Sequence, residues 1–209
     1  GVVNVAIEGQ FLVAAFTAAT VGSVTKSIPI ALVVAVLAGV AMGALLAVFS
    51  IKYLVDQVVL GVVLNLLASG LTGFLFDQLV QPNSATLNSA PLMQAIPIPL
   101  LASIPLLGPV FFEQTILVYL AVVSVAVVWF LLYRTRWGLR VRSVGEHPQA
   151  ADTVGINVLL VRWQAVLVGG IFAGLGGAFF TIGSTGAFIK DITVGNGFIA
   201  LAALIMGRW

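Results

Sequence analysis

Four small or polar residues share one face of an otherwise apolar helix in this sequence. They are Gly61, Asn65, Ser69 and Thr72. At 100° per residue these positions fall within about 80° of one another. An unpartnered amide is costly to bury in an apolar environment, so Asn65 must face other helices or a wet passage. The stripe predicts either a hydrogen bond between helices or a contact with a polar solute.

Asn4 and Glu8, at the start of the first apolar stretch, could likewise either hold the protein together or contact a polar solute. Glu8 is an ionisable group there, and it could bind a solute, lie at an interface or cap backbone amides. An Asn side chain both donates and accepts hydrogen bonds, which suits hydroxyl-rich or heterocyclic solutes better than charged ones. We therefore predict one solute pathway lined by Asn4, Glu8, Asn65, Ser69 and Thr72.

The sequence lacks the residues that most catalytic and metal chemistry needs. It contains no cysteine and a single histidine, His147, which argues against disulfides, metal centres and serine–histidine proteases. Residues 21–27 are similar to a phosphate-binding loop but lack the glycine before Lys26. A net charge of +2 is too weak to indicate nucleic acid. We predict no enzyme activity, metal or cofactor, while a passive channel stays open as an alternative.

The elements that must position these residues are membrane spans. Hydrophobic residues make up 61% of the 209 residues and charged residues 8%, against about 25% charged in a soluble domain. Mean hydropathy is +1.18. The sequence predicts an all-α, polytopic transmembrane helical bundle, and the last of its apolar stretches is short enough to be a half-helix or a truncated span. The stretches are 6–25, 28–50, 56–76, 115–133, 163–188 and 195–207.

Basic residues indicate the orientation of the bundle. Four arginines crowd into residues 134–142, which by the positive-inside rule predicts that 134–162 is a cytoplasmic loop. Alternation then makes 77–114 an extracytoplasmic loop and leaves only Lys26 and Lys190 outside. The inner basic residues are Lys52, Arg134, Arg136, Arg140, Arg142, Arg162 and Arg208.

The outer loop 77–114 is rich in proline. It holds six of the eight prolines, so it is predicted to be semi-rigid. Its apolar residues suggest packing on the membrane face or on a partner; a plain membrane-hugging loop is the alternative. The prolines are Pro82, Pro91, Pro97, Pro99, Pro105 and Pro109.

Two glycine pairs have the spacing of helix-packing motifs. Gly39 and Gly43 form one pair, and Gly170 and Gly174, extended by Gly177, form the other. Small residues let helices approach closely in lipid, where no hydrophobic force drives them together. We predict that these glycines mediate helix packing.

The cytoplasmic loop contains the signature of a two-turn helix. Pro148 suits a first helical position and Gly155 suits the position just past the end. A short helix on a basic platform suits docking to another protein, and a capped surface turn is the alternative.

Four blocks of the sequence resemble the permease subunits of ATP-binding-cassette importers, in the family serving branched-chain amino acids, ribose-type sugars and nucleosides. They are GVVNVAIEG at 1–9, RTRWGLRVRSVGEHPQAADTVGIN at 134–157, AGLGGA at 173–178 and GFIALAALIMGRW at 197–209. The first, third and fourth are similar to the simple-sugar and nucleoside branch. His147 departs from the small polar residue expected there, so no role is assigned to it.

This resemblance implies one transmembrane permease domain over 1–209 in the bacterial cell membrane, a fragment lacking terminal spans. It implies inward transport of a small polar solute by alternating access. The similarity to the simple-sugar and nucleoside branch implies a nucleoside, with ribose-like sugars or branched-chain amino acids as alternatives. The partners it implies are a cytoplasmic ATPase, a second permease subunit, identical or different, an extracytoplasmic substrate-binding protein and the lipid bilayer. The residues it implies for ATPase coupling are Gly145, Glu146, Pro148, Ala150, Ala151 and Gly155.

Overall fold

The computed structural model describes residues 2–97 and 113–207. Within these residues the chain is predominantly helical, with a single pair of three-residue strands, which confirms the predicted all-α bundle. The predicted inner residue Arg208 and the prolines Pro99, Pro105 and Pro109 lie outside the described residues.

Five helices are long and apolar enough to cross a membrane. Three of them end in a π-helical turn, so that the continuous helices run to Lys52, Val80 and Thr185. The five are α1 (Ile7–Thr25), α2 (Ile28–Ala47, then Val48–Lys52), α3 (Gln57–Leu75, then Phe76–Val80), α5 (Ile116–Arg134) and α8 (Val158–Phe180, then Thr181–Thr185).

Four shorter helices and one strand pair complete the described fold. The short apolar helix predicted at 195–207 is α9, which has 11 residues. The strands β1 and β2 pair antiparallel and close the segment between α3 and α5. These elements are α4 (Ser84–Leu87), β1 (Ala95–Pro97), β2 (Glu113–Thr115), α6 (Arg136–Glu146), α7 (Pro148–Thr153) and α9 (Asn196–Met206).

Two long helices extend four or five residues beyond their predicted bounds. The last long helix, predicted to begin at residue 163, begins at Val158, because the Asn157 side chain caps it by accepting a 2.9 Å hydrogen bond from the Leu160 N–H. The third helix, predicted to end at 76, continues through its π turn to Val80. Local capping and turn geometry, which hydropathy does not register, account for both differences.

The centre of the bundle is the crossing of α2 and α8, and it confirms the glycine-packing prediction. A Cβ atom on Gly39 would lie 2.5 Å from the Gly170 carbonyl oxygen, and one on Gly174 would lie 2.6 Å from the Val36 Cα. Gly177 makes an equally close approach to α1, where a Cβ would lie 2.4 Å from the Phe11 carbonyl oxygen. Backbones meet directly at these points, so no larger residue fits.

The described part of the segment between α3 and α5 packs on the bundle of its own chain. The Ala90 N–H donates to the Gly186 carbonyl at 2.8 Å, and the Met93 N–H donates to the Ile182 carbonyl at 2.8 Å. Asn88 adds two hydrogen bonds to the backbone of Phe188. Residues 88–93 therefore form a cover over the end of α8.

Helix α5 stands apart from this centre. Among its residues only Leu117 is buried. An apolar groove of about 370 Å³ separates α5 from α1 and α8, and Phe11, Phe172 and Phe179 line it. The span is therefore held mainly at its two ends, by the strand pair and by α6.

Candidate solute pathway and coupling surface

The carboxylate of Glu8 joins the beginnings of two helices. Glu8 lies in the first turn of α1, and its Oε1 accepts hydrogen bonds from the Thr193 hydroxyl and, at 2.9 Å, from the Gly195 N–H. Its Oε2 accepts from the Gly197 N–H in the first turn of α9 at 2.6 Å. The first N–H groups of a helix have no internal partner and carry partial positive charge, so a carboxylate there is stabilising. Of the roles considered for Glu8, the structure shows the capping of backbone amides.

The segment before α9 needs this support because its backbone is unusual. Asp191 and Val194 have positive φ angles of 52° and 46°, which are costly for residues other than glycine. Gly195 follows at 80°. A Cβ atom on Gly197 would lie 2.5 Å from the Glu8 Cα, so glycine is required there for the two helix ends to meet.

Asn65 ties the start of α1 to α3. Its Oδ1 accepts a 2.8 Å hydrogen bond from the Gly9 N–H, and its Nδ2 donates at 3.0 Å to the Val5 carbonyl. Gly61, one turn earlier, allows the approach, since a Cβ there would lie 2.5 Å from the Val5 Cβ. This is the interhelical hydrogen bond that the stripe predicted as one alternative. The amide of Asn65 keeps one N–H and one lone pair beyond these two bonds.

The other two residues of the stripe behave differently from each other. The Ser69 hydroxyl donates to the Asp191 carboxylate at 2.8 Å, which connects α3 to the segment before α9. Thr72 is only 3% exposed, and its hydroxyl donates to the Ala68 carbonyl of its own helix at 2.7 Å. In this conformation Thr72 does not face a passage, because its side chain is buried and its hydroxyl is hydrogen-bonded within its own helix.

Asn4 lies on the other side of the same junction. Its Oδ1 accepts from the Ala6 N–H at 3.1 Å and its Nδ2 donates to the Gln10 Oε1 at 2.9 Å. Gln10 is fully buried, and its Nε2 has no hydrogen-bond partner among the described residues. Asn4 also lines a cavity of about 260 Å³ that reaches Arg162 at the start of α8.

Four of the five predicted pathway residues therefore lie around one junction, where 4–9, α3 and the segment before α9 meet. Sequence reasoning missed Asp191 and Thr193, which hold Ser69 and Glu8 there. Their sequence separations of 122 and 185 residues leave no spacing pattern that could have revealed them.

The predicted coupling residues lie together on α6, α7 and the turn after α7. Helix α7 begins at Pro148 and ends at Thr153, and Gly155 follows with φ +81°, which confirms the predicted two-turn helix. Ala150 is exposed, as are Gly145, Glu146 and Gly155. Ala151 is 4% exposed and packs in one cluster with Val144 and Val161, so it supports α7 from beneath.

The arrangement combines five membrane-length helices, a junction of helix ends held by hydrogen bonds and an exposed short helix beyond the spans. These features are those of a multi-pass membrane protein. The chain belongs to the family described as branched-chain amino acid transport system / permease component, whose model matches residues 1–209. The sequence resemblance to importer permeases is thereby confirmed.

Several relatives match the whole chain. It is 41% identical to the nucleoside ABC transporter permease protein NupC of Lactococcus lactis and 38% identical to the guanosine ABC transporter permease protein NupQ of Bacillus subtilis, covering 68% and 67% of their lengths. It is also 38% identical to the putative glucose ABC transporter permease protein TsgC13 of Haloferax volcanii, covering 63% of that protein. No solved structure matches this chain.

Family membership establishes the class of protein to which the chain belongs and where in the cell it is found. Permeases of this family are transport proteins rather than enzymes, and they work with ATPase and substrate-binding partners. Together with the five membrane-length helices, this identifies a multi-pass protein of the bacterial plasma membrane.

Proposed function

We propose that this chain is part of the permease subunit of an ABC importer for nucleosides, in which solute moves inward by alternating access and a partner ATPase supplies the energy. The observation that carries the proposal is the match of the entire chain to nucleoside and guanosine permeases at 41% and 38% identity. The polar groups of the spans agree with it, because amides and hydroxyls suit ribose hydroxyls and base edges.

The ATPase is proposed to dock on α7 and its flanking residues. Gly145, Glu146, Ala150 and Gly155 are exposed, Pro148 starts the helix and Ala151 fixes it to the helices beneath. This surface favours an energised importer over a passive channel, because a channel has no use for a docking helix. The second permease subunit of the assembled importer is either another copy of this chain or a related one.

The solute is proposed to pass beside the junction formed by Asn4, Glu8, Asn65 and Ser69. Most polar groups of these four residues form hydrogen bonds within the junction, so these residues shape the wall of the proposed solute pathway. The remaining N–H and lone pair of Asn65 are the groups left to contact solute. Thr72 belongs to this wall only as packing.

Cysteine labelling tests the pathway, because the chain has no native cysteine. In the assembled importer, Ser69→Cys should react with small water-soluble thiol reagents, whereas Thr72→Cys should be protected. Val62 and Leu66 lie on the exposed apolar side of α3 and provide the lipid-facing controls. Labelling of Leu66→Cys as fast as that of Ser69→Cys would remove the junction from the pathway.

Uptake by the full importer tests the function. Proteoliposomes containing the permease and its partners should accumulate labelled nucleoside only when ATP is supplied, and unlabelled nucleosides should compete while ribose and leucine should not. Uptake without ATP would indicate a channel. Competition by leucine alone would overturn the solute assignment.

A sugar importer is the second candidate. The 38% identity to a putative glucose permease favours it. The same uptake assay separates the two, since competition by glucose or ribose without competition by nucleosides would support the sugar.

A further inference from the structure

Helix α6 follows directly on the end of a membrane-length helix. Only Thr135 separates it from α5, and a Cβ on Gly138 would lie 2.2 Å from the Leu131 carbonyl oxygen. The 19 residues of α5 extend for about 28 Å, close to the thickness of the bilayer core. Helix α6 therefore lies at the level where hydrocarbon gives way to headgroups.

The inner face of α6 is already occupied by the protein. Val144 is 2% exposed and packs in the cluster formed with Ala151 and Val161. The Trp137 Nε1 donates to the Gln164 Oε1 of α8 at 3.0 Å. These contacts fix the rotation of α6 and decide which face remains open.

The open face carries arginines around an exposed leucine. Leu139 is 61% exposed, and Arg136, Arg140 and Arg142, on either side of it, are exposed as well. Among the described residues, no arginine of α6 lies within ion-pairing distance of a carboxylate. The one carboxylate of α6, Glu146 at its end, is also exposed, so three arginines against one carboxylate leave the helix with a net positive charge beside an apolar side chain.

Aromatic residues extend this face onto the end of α5. Arg142 lies over the Tyr133 ring at 4.9 Å from its centroid, and Arg134 lies over the Trp129 ring at 5.9 Å. Both rings belong to side chains that are more than half exposed. Aromatic rings of this kind prefer the boundary between hydrocarbon and headgroups.

We propose that the open face of α6, with Tyr133 and Trp129, binds anionic phospholipid headgroups of the cytoplasmic leaflet. The arginines contact the phosphates, and Leu139 enters the acyl boundary between them. Charge complementarity and the position of α6 at the end of α5 favour lipid over an acidic protein surface, because an exposed leucine amid arginines suits a boundary with hydrocarbon. The proposed docking surface begins at Gly145 and Glu146, at the end of α6, whereas Arg136, Leu139 and Arg140 lie nearer the start of this helix. The proposal does not depend on which solute is carried.

Native mass spectrometry of the full-length permease with its partners tests this proposal. The probes are phosphatidylglycerol, phosphatidylcholine and glycerophosphate, which has the phosphate without acyl chains. The variant is Arg136→Gln/Arg140→Gln, because neither arginine stacks on an aromatic ring in the described structure. The matched control is Lys26→Gln/Lys52→Gln, which removes two charges elsewhere.

The parent should retain phosphatidylglycerol in preference to phosphatidylcholine, and the arginine variant should lose on the order of 30-fold of that preference, about fivefold for each charge. The lysine control should keep it. An equal loss in both variants, an unchanged preference in the arginine variant or binding of glycerophosphate as tight as that of the lipid would each overturn the proposal. So would loss of ATPase binding with lipid preference intact, which would assign the face to the ATPase.

Discussion

Glu8 is the residue whose environment most changes the interpretation of the spans. An ionisable group in an apolar helix is a candidate for binding solute. The two carboxylate oxygens of Glu8, however, accept three hydrogen bonds, from Thr193, Gly195 and Gly197. The carboxylate therefore holds the start of α9 against the start of α1. Its removal should therefore affect stability as well as uptake.

We predict that Glu8→Gln lowers the free energy of unfolding by about 1–3 kcal/mol, because an amide replaces one acceptor oxygen and the charge facing the helix end is lost. Thermal unfolding of the purified full-length permease measures the change. Uptake should be slower, while assembly with the ATPase should remain normal. Glu113→Gln is the control, since Glu113 is exposed. Equal unfolding temperatures for the two variants would show that the Glu8 carboxylate does not stabilise the contact between α1 and α9.

At the scale of elements, the bundle depends on backbone contacts between α2 and α8. Gly174 faces Val36, whereas Gly169, on the same helix, has no neighbouring atom within 4 Å of where a Cβ would lie. The two glycines therefore offer a matched pair of substitutions. The difference in stability between the two alanine variants separates the effect of helix packing from that of helix propensity.

Gly174→Ala should destabilise the permease by about 1–3 kcal/mol or more, because the neighbouring atoms are backbone and cannot move aside. Gly169→Ala should be neutral or stabilising by up to about 1 kcal/mol, since alanine favours the helix. Unfolding in detergent and the yield of folded protein measure both effects. Similar behaviour of the two variants would contradict the close packing of α2 on α8.

Helix α7 allows a second test at this scale. Ala150→Glu should abolish ATP hydrolysis coupled to transport, because a long charged side chain would separate α7 from the ATPase. Stability should change by less than about 0.5 kcal/mol, since Ala150 is exposed. Ala151 is unsuitable for this test because it is buried.

The control for this test is Ala85→Glu, at another exposed alanine, on α4. It should leave coupled hydrolysis unchanged. Normal coupling in the Ala150→Glu variant would refute docking on α7.

For the whole molecule, the distribution of basic residues predicts which end faces the cytoplasm. In spheroplasts, a membrane-impermeant maleimide should label Ala85→Cys directly and should label Ala150→Cys only after permeabilisation. Residues 1–209 contain no cysteine, so none of them contributes background labelling. The reverse pattern would invert the predicted orientation and would move α6 and α7 outside.

Local patterns were sufficient to predict several parts of this protein. Hydropathy located the five long helices because the bilayer thickness sets their length, and Pro148 and Gly155 marked α7 because both act on the adjacent backbone. The glycine spacing predicted close packing because positions four apart share a helix face. Each of these properties depends on residues that are near one another in the chain.

Other features were decided only by the tertiary structure. The capping of α9 by Glu8 and the covering of Thr72 arise from contacts between distant parts of the chain, whereas the exposure of α5 arises because it makes few such contacts. Glu8 and Gly197 are 189 residues apart, so no local periodicity relates them. A polar residue in an apolar span predicts that its side chain needs a hydrogen-bond partner. Only the packing of the whole bundle determines whether that partner is a backbone amide, another side chain or a solute.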